Sequence, residues 1–268
     1  MRYVLDLSYD GTIYAGWQIQ HNAVAVQEVL ENALSTLLQQ PISILGAGRT
    51  DAGVHAHQMI AHFDFQDFLP EHSYNKLNGL LPKDIAIRGI YRAVEADFHA
   101  RFSATKRSYQ YRIIQQKDPF EEAYALWVRQ ALDLVLMEKA TESLLITEDF
   151  ASFCKAHGNN KTTICEIFHA HWEIQPSVWI FHVGANRFLR GMVRALVGTL
   201  LEVGLGKISL EEFGRIIESR DRSQAGPNVA AKGLSLTEVL YPEGSWVAIS
   251  KITDARRERT EKSGQKDT

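Results

Sequence analysis

A chain of 268 residues, with 45% hydrophobic and 23% charged content, has room for a sizeable core in one large domain or two modest ones. Its net charge of −3 supplies no global attraction for a polyanion, so an RNA partner would need a local basic surface.

The start, Met1-Arg2-Tyr3-Val4-Leu5-Asp6, meets an acid too early for a signal-peptide core. Tyr3, Leu5, Leu7 and Tyr9 alternate with Val4, Asp6, Ser8 and Asp10, which predicts a strand. Asp10-Gly11-Thr12 turns the chain into an aromatic, amide-rich loop, Tyr14 to Gln20, in which Trp17 and Gln18 are open to either packing or RNA contact. Val26, Val29, Leu30, Ala33, Leu34, Leu37 and Leu38 fall at helical spacing, and Pro41 stops that helix. Ile42 to Leu45 reads as a strand, as does Met59 to Phe65. Between them lies Gly48-Arg49-Thr50-Asp51-Ala52-Gly53-Val54-His55. Glycines at 46, 48 and 53 permit a tight loop holding one short acid beside Arg49. By itself this stretch reads as a hairpin loop with an Asx-turn, or as a scaffolded carboxylate acting as nucleophile or general base.

Asn75 to Leu81 predicts a short helix stopped by Pro82, and Ile85 to Tyr91 a strand. Phe98 to Ala104 reads as a connector. Tyr109, Tyr111 and Ile113 alternate with polar neighbours as a strand with aromatics on one face, a pattern that packs a core more often than it builds a site. Asp118 to Gln130, with Pro119, reads as an insertion or crossing linker. Asp133 to Leu145 is helical; Thr163–Ile174 and Val178–Val183 form a hairpin around Gln175-Pro176-Ser177. Cys154 and Cys165 make neither a disulfide framework nor a CxxC pair, and fit buried thiols in a reducing compartment. Arg187 to Leu205 predicts one long helix that aligns Arg187, Arg190 and Arg194 on a face, and Ser209-Leu210-Glu211-Glu212 is a capping box. The longest apolar stretch, Ala195 to Leu201, is far short of a membrane span, and the expected location is cytoplasmic. Residues 251–268 read as a charged, disordered tail. His55-Ala56-His57 and His169-Ala170-His171 have zinc-compatible spacing but lack companion ligands, so no metal is expected. The glycines around Asp51 make neither GxGxxG nor a P-loop, so no cofactor is expected.

Several separated segments then match one family in consistent order. They are Tyr9-Asp10-Gly11-Thr12 with Gly16-Trp17-Gln18-Ile19-Gln20, Val26-Gln27-Glu28, Ala47 to Ala56, Leu77-Asn78 with Leu81 to Ile85, and Phe98 to Ala104 with Arg107, Tyr109 and Tyr111. Later come Asp149-Phe150, Ser152-Phe153, Phe188 to Arg194 with Gly198-Thr199-Leu200, and Gly233 to Leu236. The chain resembles the family of tRNA pseudouridine synthase A over about residues 3 to 241. Asn228-Val229-Ala230-Ala231 departs from that family's usual run, and no role is carried onto it.

The resemblance implies an α+β pseudouridine synthase fold of two related halves, 1–105 and 106–250, each with an antiparallel or mixed sheet and flanking helices, and an active-site cleft between them. It implies that Asp51 is the catalytic aspartate, Tyr109 the tyrosine beside the target base, and Arg194 the arginine that pairs with the aspartate. It also implies a homodimer that binds tRNA and isomerises uridines 38 to 40 of the anticodon stem-loop. The chemistry needs a carboxylate near the sugar and an extruded base, stacked on an aromatic. An arginine partner would offer bidentate geometry, with Arg49 and Arg194 both available. Arg49, Arg101, Lys106, Arg107, Arg187 and Arg190 are the basic set expected to meet RNA. Two other readings are a catalytically silent RNA-binding module, against which the intact Asp51 loop speaks, and a glycosidase-like hydrolase, which would want a second carboxylate.

Overall fold

The computed structural model describes residues 1–155 and 161–249. The expected tail at 251–268 lies outside the described residues. In chain order the elements are β1 (Arg2–Tyr9), α1 (Val26–Leu38), β2 (Leu45–Gly46), β3 (His55–Asp64), α2 (Ser73–Leu80), β4 (Ile85–Ala93), β5 (Lys106–Ile114) and β6 (Leu126–Trp127). Then follow α3 (Leu134–Glu142), β7 (Ile167–Ile174), β8 (Trp179–Ala185), α4 (Met192–Gly204), α5 (Leu210–Ser219), β9 (Leu234–Leu240) and β10 (Trp246–Ala248).

The α+β class holds, but the strands form one sheet, not two. Its order is β10-β4-β1-β3-β9-β5-β8-β7, with β2 beside β3 and β6 beside β5. The junction is a short parallel pairing, His55 to Ser235 and Ala56 to Leu236, where β9 joins β3. β9 also runs antiparallel to β5. One row therefore crosses the whole junction: Tyr9, Ala56, Leu236, Tyr109, Val183. Tyr109 is thereby set three strands from Tyr9 and in register with the strand that leaves the Asp51 loop. Two apolar clusters flank the junction. Val26, Leu30 and Leu34 of α1 and Leu77 of α2 pack with β1, β3 and β4 in one; Met137 of α3, Leu196 and Leu200 of α4, and Phe213 of α5 pack with β5 and β8 in the other. The final strand β10 crosses back to pair with β4, so 246–248 sits with the first half in space.

Three local differences from the sequence reading have clear causes. Ile42 and Ile44 are buried, yet their backbones are bound by helix side chains: Ser35 Oγ accepts from Ile42 N, Glu31 Oε1 accepts from Ile44 N, and Gln27 Nε2 donates to the Ile44 carbonyl. That leaves only Leu45–Gly46 for sheet pairing. The predicted helix at 187 starts instead at Met192, because Gly191 adopts φ +73° and breaks the helical path. Arg187 and Arg190 therefore precede α4, and only Arg194 is carried on it. The 118–124 segment is a turn pinned across the molecule: Arg112 Nη2 pairs with Glu121, Lys232 Nζ with Glu122, and the Tyr124 hydroxyl donates to Asp10 Oδ2 at 2.8 Å. The capping box forms as read, with Ser209 Oγ accepting from Glu212 N and Glu212 Oε2 accepting from Ser209 N.

Helix α4 lies hard against the loop that follows α5. A Cβ at Gly198 would stand 1.8 Å from the Pro227 carbonyl oxygen. Gly198→Ala must push that loop outward, and is expected to destabilise the protein by about 1–3 kcal/mol, as overpacking does. Thermal unfolding of the variant measures this.

Candidate active site

The Asp51 loop is built by close backbone approaches. Thr50 Oγ1 and the Tyr9 hydroxyl lie 2.8 Å apart, and the Trp17 amide donates to the Thr50 carbonyl. Trp17 is buried with its indole against Gly46, which resolves it as packing; Gln18 Nε2 donates to Gln27 Oε1. His55 anchors the far end of the loop: its Nδ1 accepts from Gly11 N at 3.1 Å, and its Nε2 lies 3.2 Å from the Lys232 carbonyl. These contacts leave the Asp51 side chain 32% exposed at the mouth of the loop.

Two arginines from the other half face that carboxylate. Arg194 Nη1 lies 3.4 Å from Oδ2, and Arg190 Nε lies 3.9 Å from Oδ1. Arg194 reaches the carboxylate through Nη1, while its Nε donates to the Val229 carbonyl at 2.7 Å. Arg49, the other candidate partner, is exposed and makes no ion pair among the described residues. The cleft over Asp51 has a volume of about 350 Å³ and is lined by Asp51, Lys155, Arg190, Arg194, Arg222 and Asn228, among others. One acid thus faces four cations.

Lys155 and Arg222 carry no signal in the sequence, and Asn228 stands there only as part of a run with no role. Arg222 sits in a short loop, where Nη1 donates to the Ala225 carbonyl and Nη2 to Asn228 Oδ1. Nothing in its local spacing distinguishes it from a solvated surface arginine. The 228–231 loop, to which sequence attached no role, supplies Val229 O to Arg194 and Ala230 O to the Tyr111 hydroxyl at 2.8 Å.

Tyr109 is partly buried and contacts both apolar clusters. Phe188 packs against it at a near-right angle, with ring centroids 5.0 Å apart. Phe188, which falls inside the helix predicted from Arg187 to Leu205, is instead a loop aromatic against the candidate base-stacking ring. Burial pushes the Tyr109 phenol up to about 12; Arg107 opposes the shift and Asp51 adds to it. The group is protonated throughout the physiological range.

Two members of the basic set are engaged within the protein. Arg107 donates to the carbonyls of Ala104, Asn186, Ala47 and Arg101. This guanidinium is a tie between the loop leading to Asp51 and the segment leading to Arg187. Lys106 Nζ pairs with Glu238 at 3.4 Å. Arg101, Arg187 and Arg190 lie on loops at the junction, with Arg190 and Arg101 exposed. Among the described residues, no group of three or more His, Cys, Asp or Glu is placed to hold a metal ion.

Fold and cleft together give a candidate enzyme site, with one carboxylate where the halves of a mixed sheet meet and a cationic lining suited to a polyanion. The chain belongs to the tRNA pseudouridine synthase family, whose profile matches residues 7–103 and 140–242. It is 49% identical over 246 residues to the tRNA pseudouridine synthase A of Bacteroides thetaiotaomicron, covering 90% of this chain and 91% of that protein. It is 47% identical to the protein of the same name from Parabacteroides distasonis, covering 90% and 96%, and 40% identical to that of Geobacter sulfurreducens, covering 88% and 98%.

Proposed function

We propose that the enzyme isomerises uridine to pseudouridine in the anticodon stem-loop of tRNA, at positions 38 to 40, with Asp51 as the reacting carboxylate. The observation that carries this reading is the cleft itself: one partly exposed acid at the end of a rigid loop, faced by Arg190 and Arg194 and surrounded by Lys155 and Arg222. Such a lining attracts a phosphodiester chain. Among the described residues the lining holds no second carboxylate, which disfavours a hydrolase that works with an acid pair. The relatives named tRNA pseudouridine synthase A support tRNA as the substrate.

In the reaction the N1–C1′ bond breaks, the uracil turns, and a C5–C1′ bond forms. The proton on C5 is released and N1 ends protonated, so the change is an isomerisation with no electrons exchanged. Asp51 either attacks the sugar at carbon or removes a proton from C2′, and its placement at the cleft mouth serves both. Tyr109 serves as the face on which the extruded uracil rests. Its phenol, held protonated by burial, is a donor in the resting enzyme and a poor base. Arg194, braced by Val229 O, orients the carboxylate, and Arg190 lies on its other oxygen.

We further place the enzyme in the cytoplasm, acting as a homodimer of two-halved subunits divided near residue 105. No helix among the described residues is long and apolar enough to cross a membrane. The test is incubation with unmodified tRNA, followed by mapping of pseudouridine and sedimentation of the active species. Pseudouridine at 38–40 from a dimer is expected. An unmodified tRNA overturns the substrate reading, and an active monomer overturns the dimer.

A further inference from the structure

Phe102 is 74% exposed, although the loop that carries it is held by several hydrogen bonds. Ser103 N donates to the His99 carbonyl at 2.8 Å, and His99 N to Ser103 Oγ at 2.9 Å. Ala100 N donates to His62 Nδ1, and the Tyr241 hydroxyl donates to the Ala100 carbonyl. Arg101 N donates to His99 Nδ1, and the Arg101 carbonyl accepts from Arg107 Nη2. A loop bound at each of these points has fixed the direction in which Phe102 projects. The ring has two close neighbours, the His99 ring with its centroid 4.4 Å away and tilted by 41°, and the Arg101 guanidinium carbon 5.5 Å from its centroid. An aromatic ring supported on a rigid loop, with a cation on it and its body left in solvent, is the construction of a stacking platform.

Its position relative to the cleft follows from Arg107. One nitrogen, Nη2, holds both the Arg101 carbonyl and the Ala47 carbonyl, and Ala47 opens the loop to Arg49 and Asp51. The other terminal nitrogen, Nη1, reaches Asn186, one residue before Arg187. The platform therefore stands beside the Asp51 loop, and the charges of both Arg101 and Arg187 are felt at Arg107. Neither Arg49 nor Arg187 makes an ion pair with an acid among the described residues. Phe120, 90% exposed, offers the contrast: its neighbours in the chain are Asp118, Glu121 and Glu122, and the cations nearby, Arg112 and Lys232, are already paired with Glu121 and Glu122. Exposure alone does not select a partner; the cationic surround of Phe102 does.

We propose that Phe102, backed by His99 and Arg101, is a stacking platform for an unpaired nucleobase of the substrate RNA outside the reacting position. The proposal rests on the RNA-modifying reading of the cleft. It assigns the base to Phe102 and its adjoining phosphate to Arg101. Stacking tolerates any base, so this contact would hold loops of varied sequence without selecting among them.

The experiment uses the full chain carrying Asp51→Ala, so that bound RNA is not turned over, and an unmodified anticodon stem-loop RNA with 2-aminopurine placed in turn at each loop position. Phe102→Ala is expected to weaken binding about tenfold, and Phe102→Leu similarly, because Leu keeps apolar area but has no π-face; Phe102→Trp should bind as Phe does. The salt dependence should be unchanged in these variants but reduced by about one unit of slope in Arg101→Ala. One 2-aminopurine position should be quenched in the Phe102 protein and recover its fluorescence with Ala or Leu. Unchanged affinity and unchanged fluorescence in Phe102→Ala overturn the platform and leave the cleft assignment standing. A changed sedimentation coefficient with unchanged RNA affinity also overturns it, because the ring would then serve a protein interface. Failure of the Phe102 protein itself to bind the RNA overturns the substrate reading along with it.

Discussion

Replacing Asp51 with Ala is expected to abolish pseudouridine formation, lowering kcat by roughly 10⁴-fold or more, as loss of the central reacting group does in other enzymes. The same variant should bind tRNA at least as tightly. Asp51 is the acid among the cations Lys155, Arg190, Arg194 and Arg222, so its removal makes the cleft more positive toward a phosphodiester chain. Stability should move by less than about 1 kcal/mol, because the carboxylate is 32% exposed and its contacts are long and screened by water. Asp51→Asn separates shape from charge, since it fills the same volume and should be equally inactive. Single-turnover mapping of pseudouridine, tRNA affinity and thermal unfolding on the same preparation decide the matter. Loss of binding or of folding together with activity would assign Asp51 to the loop's architecture and remove it from the chemistry.

Arg194→Lys should lower kcat by about a hundredfold with little change in RNA affinity, within the range seen when one preorganised charged donor is removed from a site. The geometry explains why a conserved charge is not enough. Arg194 uses Nε to hold the Val229 carbonyl at 2.7 Å and Nη1 to reach Asp51 Oδ2 at 3.4 Å. A lysine has one nitrogen on a flexible stem and cannot make both contacts in a fixed direction. Either the 228–231 loop loses its brace or Asp51 loses its partner. Arg190→Lys is the comparison: that side chain is 64% exposed and stands 3.9 Å from Oδ1, so it should raise KM more than it lowers kcat. Normal turnover by Arg194→Lys would take Arg194 out of the reacting group and leave Arg190 as the carboxylate's partner.

The bonds that support the site are drawn from places far apart in the chain. Arg107 reaches four carbonyls, and two of them, Ala47 and Asn186, lie on opposite walls of the junction. His55 connects the turn after β1 to Lys232, and Tyr111 bonds Ala230. Each contact is between a side chain and a backbone carbonyl or amide. Sequence records the side chain in such a pair but not the carbonyl, since every residue has one. That is why Arg107 reads from sequence as a cation for RNA and is found half-buried among carbonyls, and why the 228–231 loop carried no visible role.

The sequence by itself determined the elements whose periodicity is enforced by burial: the alternation in β1, β4, β5 and the β7–β8 hairpin, the apolar spacing of α1, the capping box of α5. It also determined the Asp51 loop, because tight turns need glycine at particular places and few residues can replace it. Only the tertiary structure decided that both halves share one sheet through the His55–Ser235 and Ala56–Leu236 pairing, since two residues of parallel contact leave no pattern in the chain. It decided that α4 begins at Met192, because a positive φ at Gly191 outweighs the apolar spacing upstream. It also decided which cations meet Asp51. Arg49 lies two residues away in sequence, while Arg190 and Arg194 approach from the far side of the junction; on a rigid loop, proximity in space is set by the packing of β3 against β9 and not by distance along the chain.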